Sequence, residues 1–175
     1  MKKFLLACCC AAIFTACNNE SKEAAKTDTN AAMPADLPYT ATYKTNWTDK
    51  VSDADLKMVL DSYKDWETGN LEALSKLMAD TTEVDMSDGA HGKMTNADLM
   101  KKWSVYRDSL SSVKIKMDTW RKMYSPDDSS SFVVVWYDEY DTYKDGRVDS
   151  ASMHDINGIK DGKINWYSQF KRPKK

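Results

Sequence analysis

The sequence predicts an α+β domain in which a curved antiparallel sheet wraps about three helices. Three observations carry this. Apolar residues recur at helical spacing behind Ser-x-x-Asp and Thr-x-x-Asp starts at Ser52 and Thr95. The hydrophobic period changes from about 3.6 to about 2 after Ser111. Two Asp-Gly pairs, Asp145-Gly146 and Asp161-Gly162, divide the C-terminal third into hairpin strands. Helices first and a long run of strands afterwards is the order of an α+β domain.

Ser52, with Asp55 three residues on, precedes Leu56, Val59, Leu60 and Tyr63, so the first helix has one face to bury. Glu67-Thr68-Gly69-Asn70 stops it. Asn70 caps a second, short helix whose stripe is Leu71, Leu74, Leu77 and Met78, and the two helices form a hairpin. Thr81 to Met86 is short and rich in β-branched residues and reads as a strand; Ser87 to Gly92 reads as a loop. Thr95 caps a third helix on which Leu99, Trp103, Tyr106 and Leu110 share a face. Val113, Ile115 and Met117 then alternate with Lys114, Lys116 and Asp118, so one face of this strand meets the core. Continuing that alternation puts Trp120 and Tyr124 on the outward face. Ser125-Pro126-Asp127-Asp128 turns the chain, and strands near 131–143, 148–159 and 164–171 follow as a meander.

With 175 residues, 25 Lys+Arg and 27 Asp+Glu, the chain has room for one ordinary domain and lacks the basic excess of a nucleic-acid binder. Its 6 Trp and 9 Tyr within a 42% hydrophobic composition imply a packed core. The four cysteines, Cys8, Cys9, Cys10 and Cys17, all lie at the N-terminal end, so the domain has no disulfide and no thiolate site. Residues 1–16 read as a signal peptide: Lys2 and Lys3 precede an apolar run from Phe4 to Phe14, well short of the about 20 residues a membrane span needs. Phe14-Thr15-Ala16-Cys17 resembles a bacterial lipobox, which implies a lipidated Cys17, a flexible tether over 17–50 and a domain over 51–175. Several acyl chains on one cysteine anchor stably. Asn18 after the cysteine implies, by resemblance to bacterial sorting, a lipid-anchored protein of the cell envelope at the outer membrane. Tyr39, Tyr43 and Trp47 either pin the tether's end to the domain or are scattered aromatics.

Val59 to Tyr63 continuing into Trp66-Glu67-Thr68-Gly69-Asn70-Leu71-Glu72-Ala73-Leu74, the His91-Gly92-Lys93-Met94 turn and Lys160-Asp161-Gly162-Lys163-Ile164 together resemble the SnoaL-like branch of the nuclear transport factor 2 superfamily. The resemblance covers roughly residues 50–172 and implies a cone-shaped sheet around the helices. It implies no single activity, because the fold hosts isomerases, cyclases, dehydratases, binding modules and assembly domains.

His154 and Asp155 are neighbours on a strand and point to opposite faces, so one of them faces the cone. With His154 inward, Asp138 or Asp85 would orient it as a general base; with Asp155 inward, the carboxylate would itself be the base, as the resemblance implies for isomerases of this superfamily. The Asp138-Glu139-Asp141 cluster alternates faces, lacks a calcium-loop pattern and reads as a solvated edge. His91 and His154 lie far apart without a local carboxylate pattern, so no metal or other cofactor is implied. Three functions remain. The first is a binding module for a small apolar or amphipathic ligand, walled by Trp103, Trp136 and Trp166 with Asp85, Asp138 or His154 as polar contacts. The second is a cofactor-independent isomerase or dehydratase using His154 or Asp155. The third is an interaction domain, or homodimer, acting through the sheet face.

Overall fold

The computed structural model describes residues 38–42 and 46–174. The signal peptide, Cys17, most of the tether and Tyr43 lie outside the described residues. By contacts the chain divides into Met1–Thr40 and Ala41–Lys175, and every helix and strand named below belongs to the second unit. In the first unit Tyr39 is exposed.

The helices begin at the capping residues. Ser52 Oγ accepts from the Asp55 amide at the start of α1 (Asp53–Thr68), and Asn70 Oδ1 from the Ala73 amide at the start of α2 (Leu71–Leu77). Gly69 ends α1 in the left-handed region, φ 75°, which costs glycine little. The chain then enters β1 (Met78–Asp85), turns, and returns as β2 (His91–Thr95). Thr95 Oγ1 accepts from the Asp98 amide and starts α3 (Asn96–Asp108). Four long strands follow: β3 (Leu110–Ser125), β4 (Ser130–Tyr143), β5 (Val148–Lys160) and β6 (Lys163–Pro173). Gly146 and Gly162 take positive φ in the two Asp-Gly turns, as expected.

These strands form a six-stranded open curved sheet in the order β2-β1-β6-β5-β4-β3. The pairing is antiparallel except between β1 and β6, which run parallel. Three boundaries differ from the sequence reading. Met78, read as part of the second helix stripe, opens β1, where it is buried; Leu110, read on the third helix, opens β3. The His91 to Met94 stretch, read as loop and turn, is strand β2, because its backbone pairs with β1 from Asp85 back to Thr81.

The helices cover one face of the sheet. Val59, Tyr63, Leu74 and Leu99 pack there against Val133, Val135, Tyr137, Ala151, Met153 and Ile164. Those strand residues alternate at every second position, which fixes the inward face of β4 as 133, 135, 137, 139 and 141 and that of β5 as 151, 153, 155 and 157. The opposite face carries Trp136, His154 and Phe170.

A bulge between Met117 and Thr119 corrects one expectation. Trp120 pairs with Val135 and Tyr124 with Ser131, so both share the inward parity of Val113 and Met117. The extra residue flips the alternation, and Tyr124 packs against the core instead of facing outward. The chain is already held to this end of the sheet before α1. Thr48 exchanges two backbone hydrogen bonds with Tyr124, Trp47 meets Phe132 edge-on at 5.6 Å and Val51 is buried, so residues 47–51, read mostly as tether, pack on the domain.

Candidate functional site

Helices and inward sheet face enclose a cavity of about 260 Å³. Its walls follow from periodicity. On α1, Ser62, Tyr63 and Trp66 fall on the sheet-facing stripe; on α3, Lys102, Trp103 and Tyr106 do the same. The strands contribute alternate residues: Tyr137 and Glu139 from β4, Met153 and Asn157 from β5, Tyr167, Gln169 and Lys171 from β6. Leu74, Met78 and Ile164, with Met86, Ser87 and Asp88 from the β1–β2 turn, complete it, and Asp88 there pairs with Lys102 at 3.1 Å.

One wall is aromatic. Tyr106 lies parallel to Trp66 with ring centres 6.2 Å apart, Trp103 is tilted against Trp66 at 6.3 Å, and Tyr167 meets Trp103 edge-on at 5.9 Å. Such offset and edge contacts hold the rings in place.

Behind the opposite wall is a buried carboxyl. Asp155 is fully buried, and its Oδ2 accepts from three phenols: Tyr63 at 3.1 Å, Tyr137 at 2.8 Å and Tyr167 at 2.8 Å. Its Oδ1 has no partner among the described residues. Asn157 donates to the Tyr63 hydroxyl, and Gln169 to the Tyr167 hydroxyl, so these two phenols are each positioned from both sides. Burial pushes the Asp155 carboxyl up to about 7, against the pull of its three phenol donors. The same burial, with the negative charge of Asp155, holds Tyr63, Tyr137 and Tyr167 well above the usual phenol range, so all three remain donors.

Glu139 is half-buried on the cavity wall. Desolvation, then repulsion from Asp141 and Asp155, raises it to about 8, opposed by Lys171 and by a hydrogen bond from the Trp66 indole. The sequence reading missed it as a cavity residue, since the 138–141 cluster was expected at a solvated edge, just as it missed the walls Tyr63, Trp66 and Tyr106. Only Asp138 faces away from the cavity. Asp141 is buried, takes the Tyr106 hydroxyl at 2.7 Å, and is pushed up by desolvation. The signal was present as alternation, because Glu139 and Asp141 continue the Val133, Val135, Tyr137 face.

The candidates from sequence are dispersed. Trp103 lines the cavity and Asp155 lies behind its phenol wall. Trp136, Asp138, His154 and Trp166 are on the outer face, so they form neither walls nor contacts of the cavity; the register of β4, β5 and β6 decides this. His154 is stacked between Trp136 at 4.8 Å and Phe170 at 5.5 Å. Asp138 accepts from Ser152 and pairs with Lys174, which lowers it below the ordinary carboxyl range. Asp85 ends β1 on the outer side, bonded to His91 and to the Trp166 indole, and both partners lower it. The proposed orientation of His154 by Asp85 or Asp138 toward the cavity is therefore not formed. Among the described residues, no group of three or more potential metal ligands comes together.

The architecture matches known structures. A nuclear transport factor 2-like protein from Anabaena variabilis superposes with a TM-score of 0.55 at 13% identity, covering 75% of this chain and 96% of its own. A protein from Acidithiobacillus ferrooxidans named as a candidate polyketide cyclase gives 0.56 at 14%, covering 69% and 89%. A ketosteroid isomerase-like protein from Catenulispora acidiphila, solved with trimethylamine, gives 0.53 at 15%, covering 65% and 84%. No family model and no curated protein matches the sequence. The chain has the nuclear transport factor 2-like fold that its motifs implied.

Proposed function

We propose that this protein binds a small, largely apolar ligand in the cavity, and that lipid on Cys17 holds it at the cell envelope, at the outer membrane. The observation that carries the binding reading is an aromatic-walled space of about 260 Å³ with an ionisable carboxyl on its wall. Ligand sites are typically concave and mostly apolar, with few placed polar groups. The neighbours support this use of the fold, one of them holding trimethylamine. The anchor rests on the lipobox-like Phe14 to Cys17 run.

Proton transfer is the second reading, and Glu139 favours it. A carboxyl near 8 that lines the cavity is poised to exchange a proton around neutral pH, where general acid–base catalysis works best. Asp155 would act through its phenols, because it does not itself line the cavity. A homodimer through the sheet would use the outer face, where Phe170 is exposed at the end of the His154 stack.

The cavity is tested with the neutral fluorescent probe N-phenyl-1-naphthylamine. The wild-type protein should enhance its emission saturably. Ser87→Trp, at an exposed position on the cavity rim, should weaken binding about tenfold, equal to roughly 1.4 kcal/mol, with an unchanged unfolding temperature. Absence of saturable binding to the wild-type protein would overturn the reading.

A further inference from the structure

The cavity has two unlike ends. Strand β6 runs along it from Ile164 through Tyr167 and Gln169 to Lys171, because a register shift against β5 between Gly158 and Ile159 brings Ile164 and Tyr167 to one face. The Ile164 end is closed and apolar: Met78 pairs with Ile164 across β1 and β6, and these two and Leu74 are at most 4% exposed. At the other end lie Lys171, Gln169, Ser87 and Asp88, all but Gln169 exposed. Roughly 20 Å of strand separates the two ends, at about 3.3 Å per residue. A volume of about 260 Å³ spread along that axis is narrow and suits an unbranched guest.

Polarity follows the same axis. Between the ends the donors are spent, since the hydroxyls of Tyr63, Tyr137 and Tyr167 go to Asp155, and the Asn157 amide to Tyr63 and the Val133 carbonyl. At the mouth both signs of charge are present. Asp88 holds Lys102 at 3.1 Å, and Lys171 opposes Glu139. An ionic head would be drawn by one sign and repelled by the other, after giving up hydration. A hydroxyl accepts and donates at once, so it can take a hydrogen bond from Lys171 and give one to Glu139.

Resting on the binding reading above, we propose that the cavity takes an uncharged, straight-chain amphiphile tail first, its alkyl chain against Leu74, Met78 and Ile164 and its hydroxyl-bearing head at the mouth between Lys171 and Glu139.

The test displaces N-phenyl-1-naphthylamine from the protein at pH 7. Along a series of 1-alkanols, affinity should rise about fourfold with each methylene and level off when the tail reaches the closed end. Ile164→Val, which removes one methyl there, should move that break to a longer chain, with retained naphthylamine binding as the check on folding. In the wild type, 1,2-octanediol should bind about tenfold more tightly than its isomer 1,8-octanediol, which must bury a hydroxyl among apolar side chains. Octanoate and octylammonium should each bind about tenfold more weakly than 1-octanol. Equal affinity of the two diols, or a break that Ile164→Val leaves in place, would overturn the tail-first orientation; an ion as tight as the alcohol would overturn the uncharged head. Naphthylamine binding that no alkanol displaces would overturn the amphiphile and leave the cavity reading standing. Failure of naphthylamine to bind the wild type would overturn both.

Discussion

Asp155 concentrates three phenolic donors on one oxygen and leaves the other bare, an arrangement that suits a carboxyl able to hold a proton. An unfolded aspartate titrates near 3.8, while the folded Asp155 titrates at about 7. Between those values the folded state binds a proton that the unfolded state has released, so this group's stabilisation is full below the lower value and is lost as pH rises through the upper one. Glu139, moved from 4.5 to about 8, has the same sign. Asp85, Asp88 and Asp138 are lowered and act oppositely, losing their contribution as pH falls through and below the ordinary carboxyl range. Stability in urea should therefore peak near pH 5 and fall by on the order of 6 kcal/mol by pH 8, Asp155 contributing over about 2 pH units and Glu139 over about 2.5, each unit worth about 1.4 kcal/mol. Asp155→Asn should flatten part of that slope; equal midpoints at pH 5 and pH 8 in the wild type would contradict the assignment. The sequence showed that His154 and Asp155 oppose each other, but which one faces inward depends on strand register. Glu139 was obscured because the start of β4 is apolar on both faces, which conceals the parity that runs into the acidic cluster.

At the scale of elements, the signals that survived folding were those made by local chemistry: the three caps and the two Asp-Gly turns depend on residues within one turn of each other. What failed depended on pairing with other strands, which a segment's own residues do not specify. Strand β2 exists because β1 is beside it, and Met78 extends as strand because it pairs with Ile164 of β6. The bulge at Met117 and Thr119 has no sequence mark that alternation could read, yet it gives Trp120 and Tyr124 the inward parity and packs Tyr124 on the core, while Trp120 stays exposed. A close approach sets another constraint at Gly158 of β5. A Cβ there would lie 2.9 Å from the Trp166 Cβ and 3.3 Å from the Phe132 ring. Because the nearer atom is bound to the β6 backbone, it cannot swing aside. Gly158→Ala should destabilise the domain by roughly 1–3 kcal/mol in urea unfolding, the scale of overpacking. A loss below about 0.5 kcal/mol, the range of a neutral surface change, would show that β5 and β6 separate easily.

The whole molecule joins an N-terminal sequence that reads as an address to a domain that stands by its own contacts, and this division has a measurable consequence. Residues 41–175 cluster as one unit, and the pieces tying its beginning to the sheet start at Asn46, which donates to Asp127. Trp47 against Phe132, the Thr48 bridge to Tyr124 and the buried Val51 follow within five residues. All of these contacts lie within Ala41–Lys175, so folding should not depend on the proposed anchor at Cys17. Cys17→Ser in the full chain should abolish acyl mass and leave the membrane fraction, while its unfolding temperature and naphthylamine affinity match those of a chain begun at Asn46. A chain begun at Ser52 discards the bridge, the ring contact and the Val51 burial. Burying one valine is worth about 1.5 kcal/mol, and each backbone hydrogen bond adds roughly 0.5–1.5 kcal/mol, so this chain should unfold several degrees lower. Its cavity residues are all retained, so affinity should fall only through the unfolded fraction. Acylated, membrane-bound Cys17→Ser would refute the anchor, and equal melting of the Asn46 and Ser52 chains would show that residues 46–51 rest on the sheet without holding it.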